Sequence, residues 1–179
     1  MSKNLEIKAR LSSDRGAIRI ARRLHAHAQG ILHQRDIYYK ISPGRLKLRI
    51  INHRSAELIF YKRPDIKGGR YSTYMVLPVS HAKLTDEFCT AAFGRKGVVE
   101  KKRRLFLYKN SRIHIDDVRG LGTFIEFEVQ VKYGLRQARA LLDELSAEFC
   151  IAPATMLAPS YSDLLLRRKK VSKYRGMAH

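Results

Sequence analysis

Alternation of charged and apolar residues recurs along this chain and is clearest at Arg45-Leu46-Lys47-Leu48-Arg49-Ile50, where three cations alternate with three aliphatics. A period of two marks a strand with two unlike faces. The same pattern over 4–11 sets Glu6 and Lys8 against Leu5, Ile7 and Ala9. Over 32–41 it sets Gln34, Asp36, Tyr38 and Lys40 against Ile37, Tyr39 and Ile41. A hairpin over 111–132 places Arg112, His114 and Asp116 opposite Ile113 and Ile115, turns at Arg119-Gly120-Leu121-Gly122, and returns with Glu126 and Glu128 on one face. Further strands are expected at 56–63, at 71–78 with Pro78 as its stop, and at 97–108, which carries the run Glu100-Lys101-Lys102-Arg103-Arg104. In the first and last of these the inward parity stays open. Ser42-Pro43-Gly44, the Gly-rich stretch Asp65 to Arg70, and Asn110 read as turns.

Between the strands lie amphipathic helices. One is expected over 14–28, with the stripe Ala17, Ile18, Ala21, Leu24 and Ala28, Ser12 or Ser13 as its N-cap and Gly30 as its end. Others are expected over 81–93, over 135–149 through Leu135, Ala138, Leu141, Leu142, Leu145 and Phe149, and in short form from Ser162 to Arg168. About eight strands, mostly joined as hairpins, cannot stay an open sheet without leaving bare edges. The expected fold is α+β: a closed eight-stranded antiparallel β-barrel with the helices packed outside. The charged faces then point either to solvent or into the barrel.

A chain of 179 residues fits one domain, here 1–166, followed by a basic and flexible tail over 167–179. With 36 Lys and Arg against 16 Asp and Glu, and a net charge of +20, the partners of choice are polyanions: nucleoside triphosphates, polyphosphate or nucleic acid. Nucleic acid is the less favoured, resting on Tyr38, Tyr39, Tyr71 and Tyr74 among the cations. No signal-peptide core and no apolar run near the roughly 18 residues of a membrane span is found, so a cytoplasmic protein is expected. Cys89 and Cys150 lie far apart without metal-site spacing and are expected to be reduced and largely buried.

Against this cationic background Asp116, Asp117, Glu126 and Glu128 fall within thirteen residues, which invites a hard metal ion. His25, His27, His33, His53, His81 and His179 read as surface residues, and His114 as a satisfied structural histidine.

The segments Asn4-Leu5-Glu6-Ile7-Lys8-Ala9-Arg10, Gln34-Arg35-Asp36-Ile37-Tyr38-Tyr39, Gly44-Arg45-Leu46-Lys47-Leu48-Arg49, Tyr61-Lys62-Arg63-Pro64, Val99-Glu100-Lys101-Lys102-Arg103, His114-Ile115-Asp116-Asp117-Val118 and Leu121-Gly122-Thr123-Phe124-Ile125-Glu126-Phe127-Glu128 together resemble the CYTH, or triphosphate tunnel metalloenzyme, superfamily. Ser160-Tyr161-Ser162-Asp163-Leu164-Leu165 is similar to that family's C-terminal helix entry. The resemblance implies a tunnel in which Lys8, Arg45, Lys47, Arg49, Arg63, Lys101 and Arg103 contact a triphosphate. It further implies that Glu6, Glu126 and Glu128, with Asp116 nearby, hold Mg²⁺ or Mn²⁺, and that Lys8 and Tyr38 take part in the chemistry. Asn4 departs from the family pattern, standing where its first glutamate would be. In flavour the motifs look most like the class IV adenylyl cyclase branch, which converts ATP to cyclic AMP and pyrophosphate. Hydrolysis of thiamine triphosphate, tripolyphosphate or a nucleoside triphosphate is the alternative, and non-catalytic polyphosphate or RNA binding a further one. A homodimer is the oligomer allowed for.

Overall fold

The computed structural model describes residues 2–64 and 69–175, the side chains of 169–175 excepted. The loop expected at Asp65 to Arg70 therefore falls mostly outside the described residues, as do the end of the basic tail and His179. In chain order come β1 (Ser2–Arg10), α1 (Asp14–Arg23), β2 (His27–Tyr39), β3 (Arg45–Ile51), β4 (Ser55–Lys62), β5 (Arg70–Val79), α2 (Ala82–Phe93) and β6 (Arg95–Tyr108). There follow β7 (Ser111–Val118), β8 (Gly122–Gln130), α3 (Leu135–Glu148), a 3-10 turn at Pro153–Thr155, and α4 (Tyr161–Arg175). The strands close into an antiparallel barrel of order β1-β5-β4-β3-β2-β6-β7-β8, with β8 returning to β1. The expected α+β barrel is the fold observed.

The outward apolar faces are covered by helices, as their periodicity requires. Leu5, Ile7 and Ala9 of β1 join Ile113 and Ile115 of β7 and Ile125, Phe127 and Val129 of β8 in one cluster. Ala17 and Ala21 of α1 and Leu141, Leu142 and Leu145 of α3 pack on it. Each large side chain buried there contributes roughly 1.5–3 kcal/mol. On the opposite wall Cys89 of α2 packs with Ile37, Tyr39 and Leu48 of β2 and β3. The start of α4 packs on the barrel through Tyr161, against Tyr38, Val99, Val118 and Phe124. Its entry is a capping box: the Asp163 amide donates to Ser160 Oγ at 3.2 Å and the Ser160 amide donates to the Asp163 carboxylate at 3.3 Å.

Several boundaries differ from the sequence expectation for physical reasons. Ser13 caps α1, but the helix ends at Arg23 rather than near 28, and His25 takes a positive φ of 54°. Ala28 continues the apolar stripe only by coincidence of spacing; it belongs to β2, and Gly30, expected to end the helix, sits in that strand at a register shift between Ala28 and Ile31. Pro78 does not stop β5, which runs to Val79; among the described residues its pairing with β1 ends at Tyr74, so this stretch is paired with β4 and tolerates a proline. α4 extends to Arg175, beyond the expected Arg168. Gly44 is required at its turn: its φ is +97°, and a Cβ there would lie 2.9 Å from the Phe60 ring.

Cys89 is buried as expected, whereas Cys150 is exposed just after α3, at a positive φ of 52°. A thiol-specific chromogenic reagent is therefore expected to label Cys150 at once and Cys89 only on unfolding. Equal rates for both thiols in the folded protein would contradict this packing. No helix among the described residues is long and apolar enough to cross a membrane.

Candidate active site

Strand parity decides what faces the inside of the barrel. A cavity of about 370 Å³ runs within it, a volume ordinary for a small-molecule pocket. Its lining includes Glu6 and Lys8 of β1, Tyr38 of β2, Lys47 and Arg49 of β3, Arg63 just after β4, Lys101 and Arg103 of β6, and Glu126 and Glu128 of β8. Ten of the twelve residues that the resemblance singled out thus share one cavity. The parities left open resolve with Glu57, Ile59 and Tyr61 inward on β4 and Lys101, Arg103 and Leu105 inward on β6. Among the described lining residues there are seven Lys or Arg and four Glu. That excess suits a multiply charged anion.

Arg45 and Asp116 stand outside this lining. Arg45 lies at the start of β3 and approaches Asp163 of α4, its Nη2 3.4 Å from the carboxylate. Asp116 is fully buried beneath Arg103, which donates to both its oxygens at 2.7 and 2.6 Å, while the Tyr161 hydroxyl donates to it at 3.1 Å. Asp36 plays the matching part on the other side of β6, whose Lys101 Nζ lies 3.7 Å from both aspartates: Arg49 donates to both Asp36 oxygens at 2.8 and 2.9 Å, and Lys47 donates at 3.0 Å. Burial pushes both aspartates up, but the cations outweigh it. Arg49, Lys47 and Lys101 hold Asp36 well below the usual range, and Arg103 and Lys101 hold Asp116 below it. Two-pronged pairing of this kind fixes the arginine planes.

The lysines feel the opposite pressure. Burial, reinforced by Arg49, pushes Lys47 down to about 7 against the pull of Asp36, and burial with Arg103 pushes Lys101 down to about 8. Lys8 is lowered by burial too; its Nζ lies 3.6 Å from Glu126 and 4.0 Å from the centre of the Tyr161 ring. Tyr38 lies beside Lys47, whose Nζ is 5.5 Å from its ring centre, and burial raises its hydroxyl well above the ordinary value.

Around the glutamates the cross-strand register brings together what the sequence separates. Glu6 faces Glu128 and Lys8 faces Glu126 across β1 and β8, and His114 faces Glu126 across β7 and β8. Glu6 is engaged by Arg63, which donates to it at 2.7 Å. Burial and Glu126 raise Glu6, whereas Lys8, His114 and Arg103 overcome burial to hold Glu126 well below the usual range.

Among the described residues, His114, Glu126 and Glu128 form a group with ligand atoms within 4.8 Å of one another. His114 is 3% exposed, and among the described residues its Nδ1 has no hydrogen-bond partner, so it is not the satisfied structural histidine that was expected. Two carboxylates and a buried imidazole nitrogen without a partner fit a divalent cation. Asn4 also lines the cavity, and its buried Oδ1 has no hydrogen-bond partner among the described residues. The signal for His114 was present: a hairpin turning at 119–122 pairs residues whose numbers sum to 240, and 114 and 126 do.

The family model of the CYTH domain matches residues 2–146. No curated protein matches the chain in sequence. Among solved structures, the PH1012 protein of Pyrococcus horikoshii OT3 is 21% identical, with a TM-score of 0.82 over 90% of this chain and 98% of that one. A candidate adenylate cyclase of Vibrio parahaemolyticus is 18% identical, with a TM-score of 0.76 over 90% of this chain and 97% of that one. HpAC1 of Hippeastrum, a candidate adenylyl cyclase described as having a dominant triphosphatase activity, is 12% identical, with a TM-score of 0.67 over 95% of this chain and 96% of that one. At these identities the likenesses establish the fold.

Proposed function

Because the chain belongs to the CYTH domain family, we propose that it is a divalent-metal-dependent enzyme acting on a triphosphate inside its barrel, with ATP as substrate and cyclic AMP and pyrophosphate as products. The observation that carries this reading is a single cavity lined by an excess of lysine and arginine together with a compact acidic group. Leu32, Ile59, Val76 and Leu105 add apolar lining suited to an organic group attached to the phosphates.

Lys47, Arg49, Lys101 and Arg103 bind the phosphate oxygens, and Arg63 and Lys8 complete the set. Asp36 and Asp116 fix the orientation of these cations before the substrate arrives, so little reorganisation is needed as charge builds on the leaving group. Glu126 and Glu128 hold Mg²⁺ or Mn²⁺, which when bound would act as a Lewis acid toward the triphosphate oxygens. In the cyclase reaction the 3′-oxygen forms a bond to the α-phosphorus, the bond from that phosphorus to the bridging oxygen breaks, and pyrophosphate leaves with the electron pair. Lys8, whose Nζ lies 3.6 Å from Glu126, is the group assigned to take the hydroxyl proton.

Hydrolysis at the terminal phosphate is the second reading, favoured by Tyr38 lying beside Lys47. The two reactions separate on products: the purified protein with ATP and Mg²⁺ or Mn²⁺ is expected to release cyclic AMP and pyrophosphate in equal amounts. Orthophosphate without cyclic AMP would move the assignment to a triphosphatase, for which thiamine triphosphate and tripolyphosphate are the further substrates to compare.

A second expectation follows from the lysines. At pH 8 the free protein holds Lys47 mostly neutral and Lys101 about half so, given values near 7 and 8. A bound triphosphate favours the charged forms and raises both, so binding takes up about one proton. Calorimetric titration at pH 8 in two buffers of different ionisation heat reads this directly. Zero uptake would contradict lysine contact with the phosphates.

A further inference from the structure

We propose that His114 supplies its Nδ1 to the metal site, so that this chain holds its cation through nitrogen as well as oxygen and binds a transition-series ion such as Mn²⁺ in preference to Mg²⁺; this rests on the metal reading above. Three observations carry it. The Nδ1 atom lies 3.8 Å from Glu126 Oε2 and 3.7 Å from Glu128 Oε1. Those separations are too long for hydrogen bonds. With metal–ligand bonds of about 2.1 Å, however, one cation can bridge donors up to about 4.2 Å apart.

The imidazole is also almost fully buried, and its Nδ1 makes no hydrogen bond among the described residues. Buried polar atoms are nearly always satisfied, so an orphan aimed at two carboxylates points to a missing third party. Finally, His114 stands directly across from Glu126 in the β7–β8 ladder, so its position is set by the barrel and not by a mobile loop.

The nitrogen changes which ion is favoured. Mg²⁺ is a hard cation that keeps oxygen ligands and several waters. Imidazole adds affinity for ions of the first transition row, along which nitrogen-containing sites strengthen. Asn4, in place of a carboxylate, leaves the nearby wall without one negative charge, which weakens the purely ionic hold on which Mg²⁺ depends.

The test uses the full-length protein loaded with Mn²⁺ alone, in a buffer without nitrogen ligands, and reads pulsed electron paramagnetic resonance. A ¹⁴N coupling is expected in the wild type, converting to ¹⁵N when only the histidines carry that isotope, and disappearing in His114→Gln. In that variant Mn²⁺ affinity is expected to fall about tenfold or more while Mg²⁺ affinity changes by less than about twofold. His114→Asp, which makes the site all-oxygen, is expected to reverse the preference toward Mg²⁺.

The wild-type spectrum decides the matter even if a variant fails to fold. Bound Mn²⁺ that is lost in a Glu126→Gln, Glu128→Gln protein but shows no histidine coupling would overturn the role of His114 and leave the proposed function standing. A coupling that persists in folded His114→Gln would also overturn it. Failure of the wild type to bind Mn²⁺ at all would remove the metal site and this inference together.

Discussion

Replacing Glu126 and Glu128 together by glutamine is expected to lower triphosphate turnover by about two to three orders of magnitude while leaving the barrel folded. The two carboxylates are the acidic members of the group with His114, and their removal takes away both charges that could hold a cation there. Stability is expected to fall as well. Burial disfavours both carboxylates as anions, but Lys8, His114 and Arg103 outweigh it and hold Glu126 well below the usual range, and Glu128 is lowered too, so both contribute stability at neutral pH. The double variant gives up that contribution together with the pairing of Glu126 to Lys8 and Arg103, offset in part by relief of the repulsion on Glu6. Turnover measured beside urea unfolding separates the outcomes. Full activity in a folded double variant would remove these glutamates from the chemistry.

The second large effect concerns stability. Arg103→Met is expected to destabilise the protein by about 3–5 kcal/mol at pH 7, because it leaves the Asp116 carboxylate buried with its two-pronged partner gone. Lys101, 3.7 Å away, and the Tyr161 hydroxyl compensate only in part. The pH dependence supplies an independent check. In the wild type Asp116 has a depressed folded pKa, so its contribution is fully present above the ordinary carboxylate value near 4 and is lost as pH falls through the folded value. Without Arg103 the folded pKa rises above the unfolded one, and the cost grows as pH rises. The gap between the two proteins should therefore be widest at neutral pH and narrow toward pH 4. Adding Asp116→Leu to Arg103→Met should recover part of the loss. A single-variant loss under 1 kcal/mol would contradict the assigned pairing.

How much of this could be read from the chain depends on the range of the interaction involved. Parity is local: Lys47 with Arg49, Lys101 with Arg103, and Glu126 with Glu128 share faces because two residues on a strand always do. Barrel closure followed from the number of strands and the helices available to cover them. Depth along a strand is not local. Asp116 has the same parity as His114, yet pairs with Arg103 beneath the cavity and stays out of the acidic group. Arg45 shares parity with Lys47, but at the start of β3 it meets α4, whose position no strand pattern reveals.

The β1–β5 and β2–β6 pairings likewise have no connecting turn to announce them. His114 falls between these cases. Its partner across the hairpin follows from the turn, but a histidine on an inward face has many satisfied alternatives, and only the orphaned Nδ1 distinguishes this one. The helix boundary misplaced by Ala28 has a simpler cause, since alanine fits a helical stripe and a strand equally well.

The most direct measurement is turnover of ATP, thiamine triphosphate and tripolyphosphate by the purified protein with Mg²⁺, with Mn²⁺ and with excess chelator. Cyclic AMP, pyrophosphate and orthophosphate are quantified in each. Metal-dependent cleavage, strongest with Mn²⁺, abolished by the chelator and yielding cyclic AMP from ATP, is the predicted result. No cleavage of any of the three under either metal would contradict an active site in this barrel and leave a protein that binds polyphosphate without processing it.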